Sequence, residues 1–194
     1  INRGRVMKKV LFLLVLAAPA QADWVLNSER SKLSFVSTKA INVAEVHRIS
    51  DLSGGITADG SADIMIGLTS VDTGIELRDD RMRDMLFETD RFGLANVSAT
   101  VDAEKIEKLG PGESTEMILE ANLSLHGVSR PLQIELVVVR SGASRLVATT
   151  AKPVVINAPD FGLGTGVEAL REIAGLPSIS LAVPVSFVLT FDDR

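Results

Sequence analysis

The chain contains no cysteine. That one absence excludes disulfides, thiolate metal ligands, thiol redox chemistry and a lipid anchor on an N-terminal cysteine, so stability must come from packing. Histidine is nearly as scarce. His47 and His126 are the only two and lie far apart in sequence, whereas a zinc site needs three or four ligands. The 20 basic residues are outnumbered by 25 acidic ones, for a formal charge of −5. An acidic chain argues against nucleic acid and against electrostatic attachment to anionic lipid. Nucleophile motifs are missing too: there is no Gly-x-Ser-x-Gly elbow. Gly162-Leu163-Gly164-Thr165-Gly166 lacks the spacing and the strand–helix–strand context of a nucleotide loop and reads as a flexible connector. No catalytic residue, metal ligand or cofactor is therefore assigned.

The longest apolar run, Val10 to Ala18, is too short to span a hydrocarbon core of about 30 Å, so stable membrane insertion is not expected. Preceded by Met7-Lys8-Lys9 and followed by Ala20-Gln21-Ala22, it has the layout of a cleavable export signal. Residues 1–22 are read as that leader, with residues 1–6 as upstream sequence. Cleavage after Ala22 leaves one domain, residues 23–194, and points to the periplasm. The leader takes Arg3, Arg5, Lys8 and Lys9 with it, which makes the mature chain more acidic still.

What the chain does have is alternation. Met117, Leu119, Ala121, Leu123 and Leu125 precede the turn segment 126–131, and Leu132, Ile134, Leu136 and Val138 follow it. A period of two puts one set of side chains on one face of a strand, so this stretch reads as a long antiparallel hairpin. The same period appears around Leu33 and Phe35, along Ile64, Ile66 and Leu68, along Ala95, Val97, Ala99 and Val101, and from Ile179 to Phe191. Weaker strands are predicted at 45–49, 52–57, 104–108, 145–150 and 154–156. Two stretches break the period. Residues 77–87 and 167–174 read as short amphipathic helices, the first with Met82, Met85 and Leu86 on one face.

Long strands in this number must dispose of their edges, and closure does so. The predicted fold is mainly β: a lipocalin-like antiparallel barrel of about eight strands with one or two short helices. Small residues on the apolar faces (Ala95, Ala99, Ala121 and Ala148) leave room either for larger neighbours or for a ligand. By alternation, Phe35, Ile64, Ile66, Leu68, Val97, Leu119, Leu123, Leu136 and Val183 point inward. Met82, Met85, Leu86, Phe87 and Phe92 are expected to line or close one mouth, where flexible thioethers suit a variable apolar chain.

Several segments together resemble the YceI-like polyisoprenoid-binding proteins of bacterial periplasms. They are Trp24, Lys32-Leu33-Ser34-Phe35, Leu52-Ser53-Gly54-Gly55-Ile56, Val71 through Phe87 with its Thr73 and Arg78-Asp79, Leu123 through Leu132 with His126-Gly127-Val128-Ser129-Arg130-Pro131, and Phe161-Gly162-Leu163. The resemblance implies an extended barrel that holds a long isoprenoid, as in a polyprenyl lipid or a quinone. It departs from the family at Arg30 and Thr38, where histidines are common, and across 42–51, which lacks a glycine. Those positions concern head-group contacts rather than the fold.

The run Arg78-Asp79-Asp80-Arg81-x-Arg83-Asp84 admits an anionic head-group site, a solvated helix face, or an Arg78–Asp79 pair fixing the helix to the barrel end. The last is preferred. The expected function is non-catalytic binding, sequestration or transport of an isoprenoid lipid, with an apolar isoprenoid or quinone-like ligand and room for a homodimer. The alternatives are an envelope interaction module with a filled barrel and, more remotely, a hydrolase or isomerase built around His126.

Overall fold

The computed structural model describes residues 22–194, so the leader, apart from Ala22, lies outside the described residues. Ten strands follow one another: β1 (Ala22–Leu26), β2 (Lys32–Lys39), β3 (Val43–Thr57), β4 (Ser61–Asp72), β5 (Leu94–Thr100), β6 (Ser114–Leu125), β7 (Val128–Gly142), β8 (Arg145–Thr150), β9 (Val154–Asn157) and β10 (Ala182–Asp193). All pair antiparallel. The order β10-β2-β3-β4-β5-β6-β7-β8 closes on itself through β8 and β10. β1 and β9 are the two extra strands. β1 continues the β2 position, pairing with β10 and β3, and β9 continues the β8 position, pairing with β10.

Closure leaves two ends. Four short helices, α1 (Glu76–Arg81), α2 (Thr89–Phe92), α3 (Ala103–Glu107) and α4 (Gly164–Ile173), sit in the connections between strands. The near end carries the β2–β3 turn, α1, α2, the β6–β7 turn and α4. The far end carries the β3–β4 turn, α3 and the β7–β8 turn.

Register follows from local chemistry. β6 and β7 pair without a break from Leu125 opposite Val128 to Ser114 opposite Val139. The turn is only two residues long, not the six of segment 126–131, because His126 (φ 52°) and Gly127 (φ 76°) both take left-handed backbone. Two such residues match the twist of the strands they join, and glycine supplies that conformation without steric cost. In β3, the predicted strands 45–49 and 52–57 are one strand with a bulge between Ile49 and Asp51. The hydroxyl of Ser70 accepts from the amides of Ser50 (3.1 Å) and Asp51 (2.8 Å), satisfying donors that the bulge takes out of the ladder. The bulge switches the inward positions from Glu45, His47 and Ile49 to Leu52 and Ile56.

Three local expectations are corrected. Residues 104–108 are not a strand. Asp102 accepts a hydrogen bond from the Lys105 amide (2.9 Å) and so caps α3, whose Ile106 is buried. The helix predicted at 77–87 is α1 followed by one widened π turn, Met82–Leu86, marked by the Phe87 amide bonding the Met82 carbonyl at 2.9 Å. The glycine-rich stretch 162–166 is not a flexible connector. Gly162 (φ 72°) ends a short 3-10 turn, and Gly166 sits in α4, where a Cβ would come 2.7 Å from the Met85 carbonyl oxygen and 2.9 Å from Leu86 Cα. Only a bare glycine lets α4 pack so closely on the π turn.

Candidate functional site

The barrel interior encloses a cavity of about 250 Å³. Every residue lining it is Leu, Ile, Val, Ala, Met or Phe. Close-packed interiors hold few voids larger than a water molecule. A dry apolar cavity of roughly 150 Å³ already binds small hydrocarbons in an engineered protein, so this space is a chamber rather than a packing defect. Its width comes from small side chains: Ala62, Ala95, Ala99 and Ala148 all face it. Ala121 does not; it is buried in a cluster with Ile134, Leu136 and Val138, which themselves line the cavity.

The structure brings most of the sequence-predicted lining together. Phe35, Ile64, Ile66, Leu68, Val97, Leu119, Leu123, Leu136 and Val183 face the cavity from the strands, and Met82, Leu86 and Phe87 face it from the near end. Two predicted residues stand elsewhere. A π turn is wider than an α turn, so it brings positions i, i+4 and i+5 (Met82, Leu86 and Phe87) to the cavity and carries i+3, Met85, aside. Phe92 packs on the β6–β7 turn, its ring centroid 4.4 Å from that of His126.

At the near end the inward face changes character. β2 and β3 pair in rungs: Leu33 with Ile49, Phe35 with His47, and Ser37 with Glu45. Cross-strand partners point to one side of the sheet. Leu33, Ile49 and Phe35 line the cavity, so His47, Ser37 and Glu45 continue the same inner face. His47 is 3% exposed. Its ring centroid lies 5.3 Å from that of Phe35, and its Nε2 is 2.8 Å from the Ser37 hydroxyl. Burial, and next the Arg78 charge, push the imidazole below its ordinary pKa of 6.5, favouring the neutral ring.

Around it sits a closed set of charges. Glu45 binds Lys39 at 2.9 Å and Arg78 Nη1 at 2.7 Å, and these cations, Lys39 foremost, hold its carboxyl below the usual glutamate range. Arg78 Nη2 donates to the Thr73 carbonyl at 2.7 Å, and buried Asp79 accepts from the Thr73 amide at 2.8 Å. Arg78 and Asp79 therefore do fix α1 to the barrel end, but through Glu45 and Thr73 rather than by pairing with each other. Asp80 and Arg83 pair at 2.5 Å on the exposed side.

His47 is the residue that sequence reasoning passed over. The signal was the parity of Leu33 and Phe35, which carries Ser37 and Lys39 to the inner face. His126 belongs to a separate place. Its Nε2 lies 3.7 Å from Glu88, beyond hydrogen-bond reach, and it is not among the cavity-lining residues. Among the described residues, no three His, Asp or Glu side chains gather as metal ligands, and no helix is long and apolar enough to cross a membrane.

Comparison with known proteins matches residues 24–191 to the YceI-like domain family. A polyisoprenoid binding domain from Saccharophagus degradans, implicated in plant cell wall breakdown, superposes with a TM-score of 0.88 at 41% identity, over 90% of this chain and 100% of that one. BcnA of Burkholderia cenocepacia shares the fold with a TM-score of 0.66 at 19% identity, over 85% of this chain and 98% of that one. A UPF0312 protein of Shewanella baltica is 29% identical over 145 residues, 66% of this chain and 72% of that protein.

Proposed function

The chain belongs to the YceI-like family, and on that premise we propose that it binds a long isoprenoid lipid inside its barrel, as a non-catalytic carrier or store in the periplasm. One observation carries the reading: an interior chamber of about 250 Å³ without a polar side chain in its lining. The polyisoprenoid-binding neighbour from Saccharophagus degradans supports the ligand class. The leader read at residues 1–22 supports the location.

The driving force is burial. At roughly 0.8 kcal/mol per buried CH₂, one five-carbon isoprene unit contributes about 4 kcal/mol before ordering costs, so a few units suffice for firm retention. The filled-barrel alternative requires a packed interior, and the chamber weighs against it. A hydrolase or isomerase at His126 would need its acid–base group beside the substrate space, and His126 lies outside the lining.

Native mass spectrometry of the purified protein, followed by organic extraction, tests the proposal. A bound species whose mass series steps by isoprene units is the expected result. Protein mass alone, even after incubation with isoprenoids, would contradict it.

A further inference from the structure

One stretch of the barrel wall has neither a backbone ladder nor a helix across it. β7 pairs with β6 along one edge. Along the other, pairing with β8 stops at Leu136 opposite Thr150, and the Ala151 amide gives one last bond to the Glu135 carbonyl at 2.8 Å. From there to the near end the neighbour is β9, which among the described residues pairs with β10 alone. Other strands that outrun a partner are covered. The Thr69 carbonyl on β4 accepts from Arg83 of the π turn at 3.3 Å, and the Glu116 carbonyl on β6 accepts from Lys105 of α3 at 2.8 Å. Between β7 and β9 lies instead an outer groove of about 360 Å³.

The lips of this seam are built to stay apart. Backbone groups alternate between the two sides of a strand. Glu135 turns toward β8, so Gln133 and Pro131 turn toward β9. The Ala158 amide bonds the Leu181 carbonyl at 2.8 Å, so Ile156 and Val154 turn toward β10 while Val155 and Pro153 turn toward β7. Each lip therefore carries a proline, which has no amide hydrogen to give and belongs to unpaired strand edges. The same prolines disfavour a foreign strand added here. Leu132 and Val154 line both the groove and the chamber, so apolar side chains alone partition the two spaces. The Lys152–Glu135 ion pair at 2.5 Å pins one end of the seam, and Arg130 Nε bonding the Asp160 carbonyl at 3.3 Å pins the other.

We infer that the isoprenoid enters and leaves the barrel sideways, through the seam between β7 and β9, with Leu132 and Val154 as the gate. This rests on the reading of the barrel as a lipid chamber and adds its point of access. A flexible hydrocarbon can push apolar side chains aside there without breaking a backbone ladder, and exposed Val155 gives it apolar contact on approach. Passage through either end is costlier. The near end would have to part Glu45 from Lys39 and Arg78, and the far end would have to dislodge Ile106.

A removable bridge across the seam tests this. Because the chain has no cysteine, Gln133→Cys/Val155→Cys carries the only two thiols, both outside the chamber lining. A short bis-methanethiosulfonate joins them, and reductant releases them. Protein loaded with the isoprenoid alcohol phytol is chased with deuterated phytol, and native mass spectrometry follows the exchange. The bridge is expected to slow exchange about tenfold or more, which is about 1.4 kcal/mol on the barrier. Equilibrium affinity should stay the same, and reductant should restore the rate in the same molecules. A control bridge at Ser98→Cys/Asn122→Cys, cross-strand partners on the paired β5–β6 wall, should leave exchange unchanged. Exchange as fast with the seam bridge as without it, or slowed equally by the control bridge, would overturn sideways entry while leaving the chamber standing. Failure of the unbridged protein to bind phytol at all would overturn the chamber reading and this proposal with it.

Discussion

Both ends of the barrel are closed by apolar side chains, but among the described residues the far-end connections take left-handed backbone at glycine alone, whereas the near end takes it at non-glycine residues as well. Gly60 (φ 84°) and Gly112 (φ 88°) take the left-handed backbone in the far-end connections, and Ile106 on α3 reaches into the chamber from that side. Among the described residues, the four non-glycine positions with positive φ, Ala40, Ile41, Glu88 and His126, all sit at the near end. So do the π turn and the polar rung of Ser37, Glu45 and His47. Left-handed backbone outside glycine costs on the order of 1–3 kcal/mol per residue, and such costs cluster where structure serves function. The far end is built for stability, whereas the near end gives up stability to hold unusual backbone and buried polar atoms beside the chamber.

The largest effect should come from breaking the far-end plug. Ile106→Ala is expected to destabilise the barrel by about 2–5 kcal/mol, from lost burial and the cavity left behind. Urea unfolding checks the loss. At the near end, Gly166→Ala puts a Cβ against the Met85 carbonyl and Leu86 Cα, which are backbone atoms that cannot swing away. A loss of roughly 1–3 kcal/mol is expected. Amide hydrogen exchange should locate it in α4 and the π turn, with the far-end hairpins unaffected.

Acid should also separate the two ends. The folded-state pKa of His47 lies below the ordinary 6.5. As pH falls through that value the unfolded chain takes up a proton that the folded ring refuses, and stability drops. Glu45, held below 4.5 by Lys39 and Arg78, adds a loss of the same sign at lower pH as its carboxylate is protonated. The far-end carboxylates also have lowered pKa values: Asp59, chiefly by the Thr57 hydroxyl, and Asp192, by Asn27 and Arg145. They begin to matter only below about 3.8. Between pH 7 and 5, exchange protection should fall around β2, β3 and α1 while the far-end turns keep theirs.

The smallest effect is expected at Ile41, a β-branched residue that is 83% exposed with φ 74°. Ile41→Gly should raise stability by about 1 kcal/mol by relieving the left-handed strain. A thermal melt that moves down instead would show that the turn is held by contacts of the Ile41 side chain.

The strands and the chamber wall were legible because alternation is a strong local code. Ile64, Ile66 and Leu68 on β4 and Leu119 and Leu123 on β6 face the interior as their parity demands. The family resemblance was legible as well: the YceI-like domain spans residues 24–191. What escaped was set by single hydrogen bonds or by position in a rung. Residues 104–108 hold a single apolar residue, Ile106, too little for a period to show, and the Asp102 cap makes this stretch helical rather than a strand. Met85 fell on the wrong side because one i to i+5 bond re-phases the turn, and no residue pattern announces that. His47 looked like a lone histidine until its rung with Phe35 placed it at the end of the chamber.

The most direct test of the central claim is a thermal melt of Ala99→Phe with and without phytol. Ala99 faces the chamber from β5. If the interior is ligand space, the added ring fills it: the ligand-free protein keeps or gains stability, and phytol no longer raises the melting temperature. If the interior is a packed core, the same substitution should cost about 1–3 kcal/mol through overpacking. That loss, or a phytol-induced rise equal to wild type, would contradict the account.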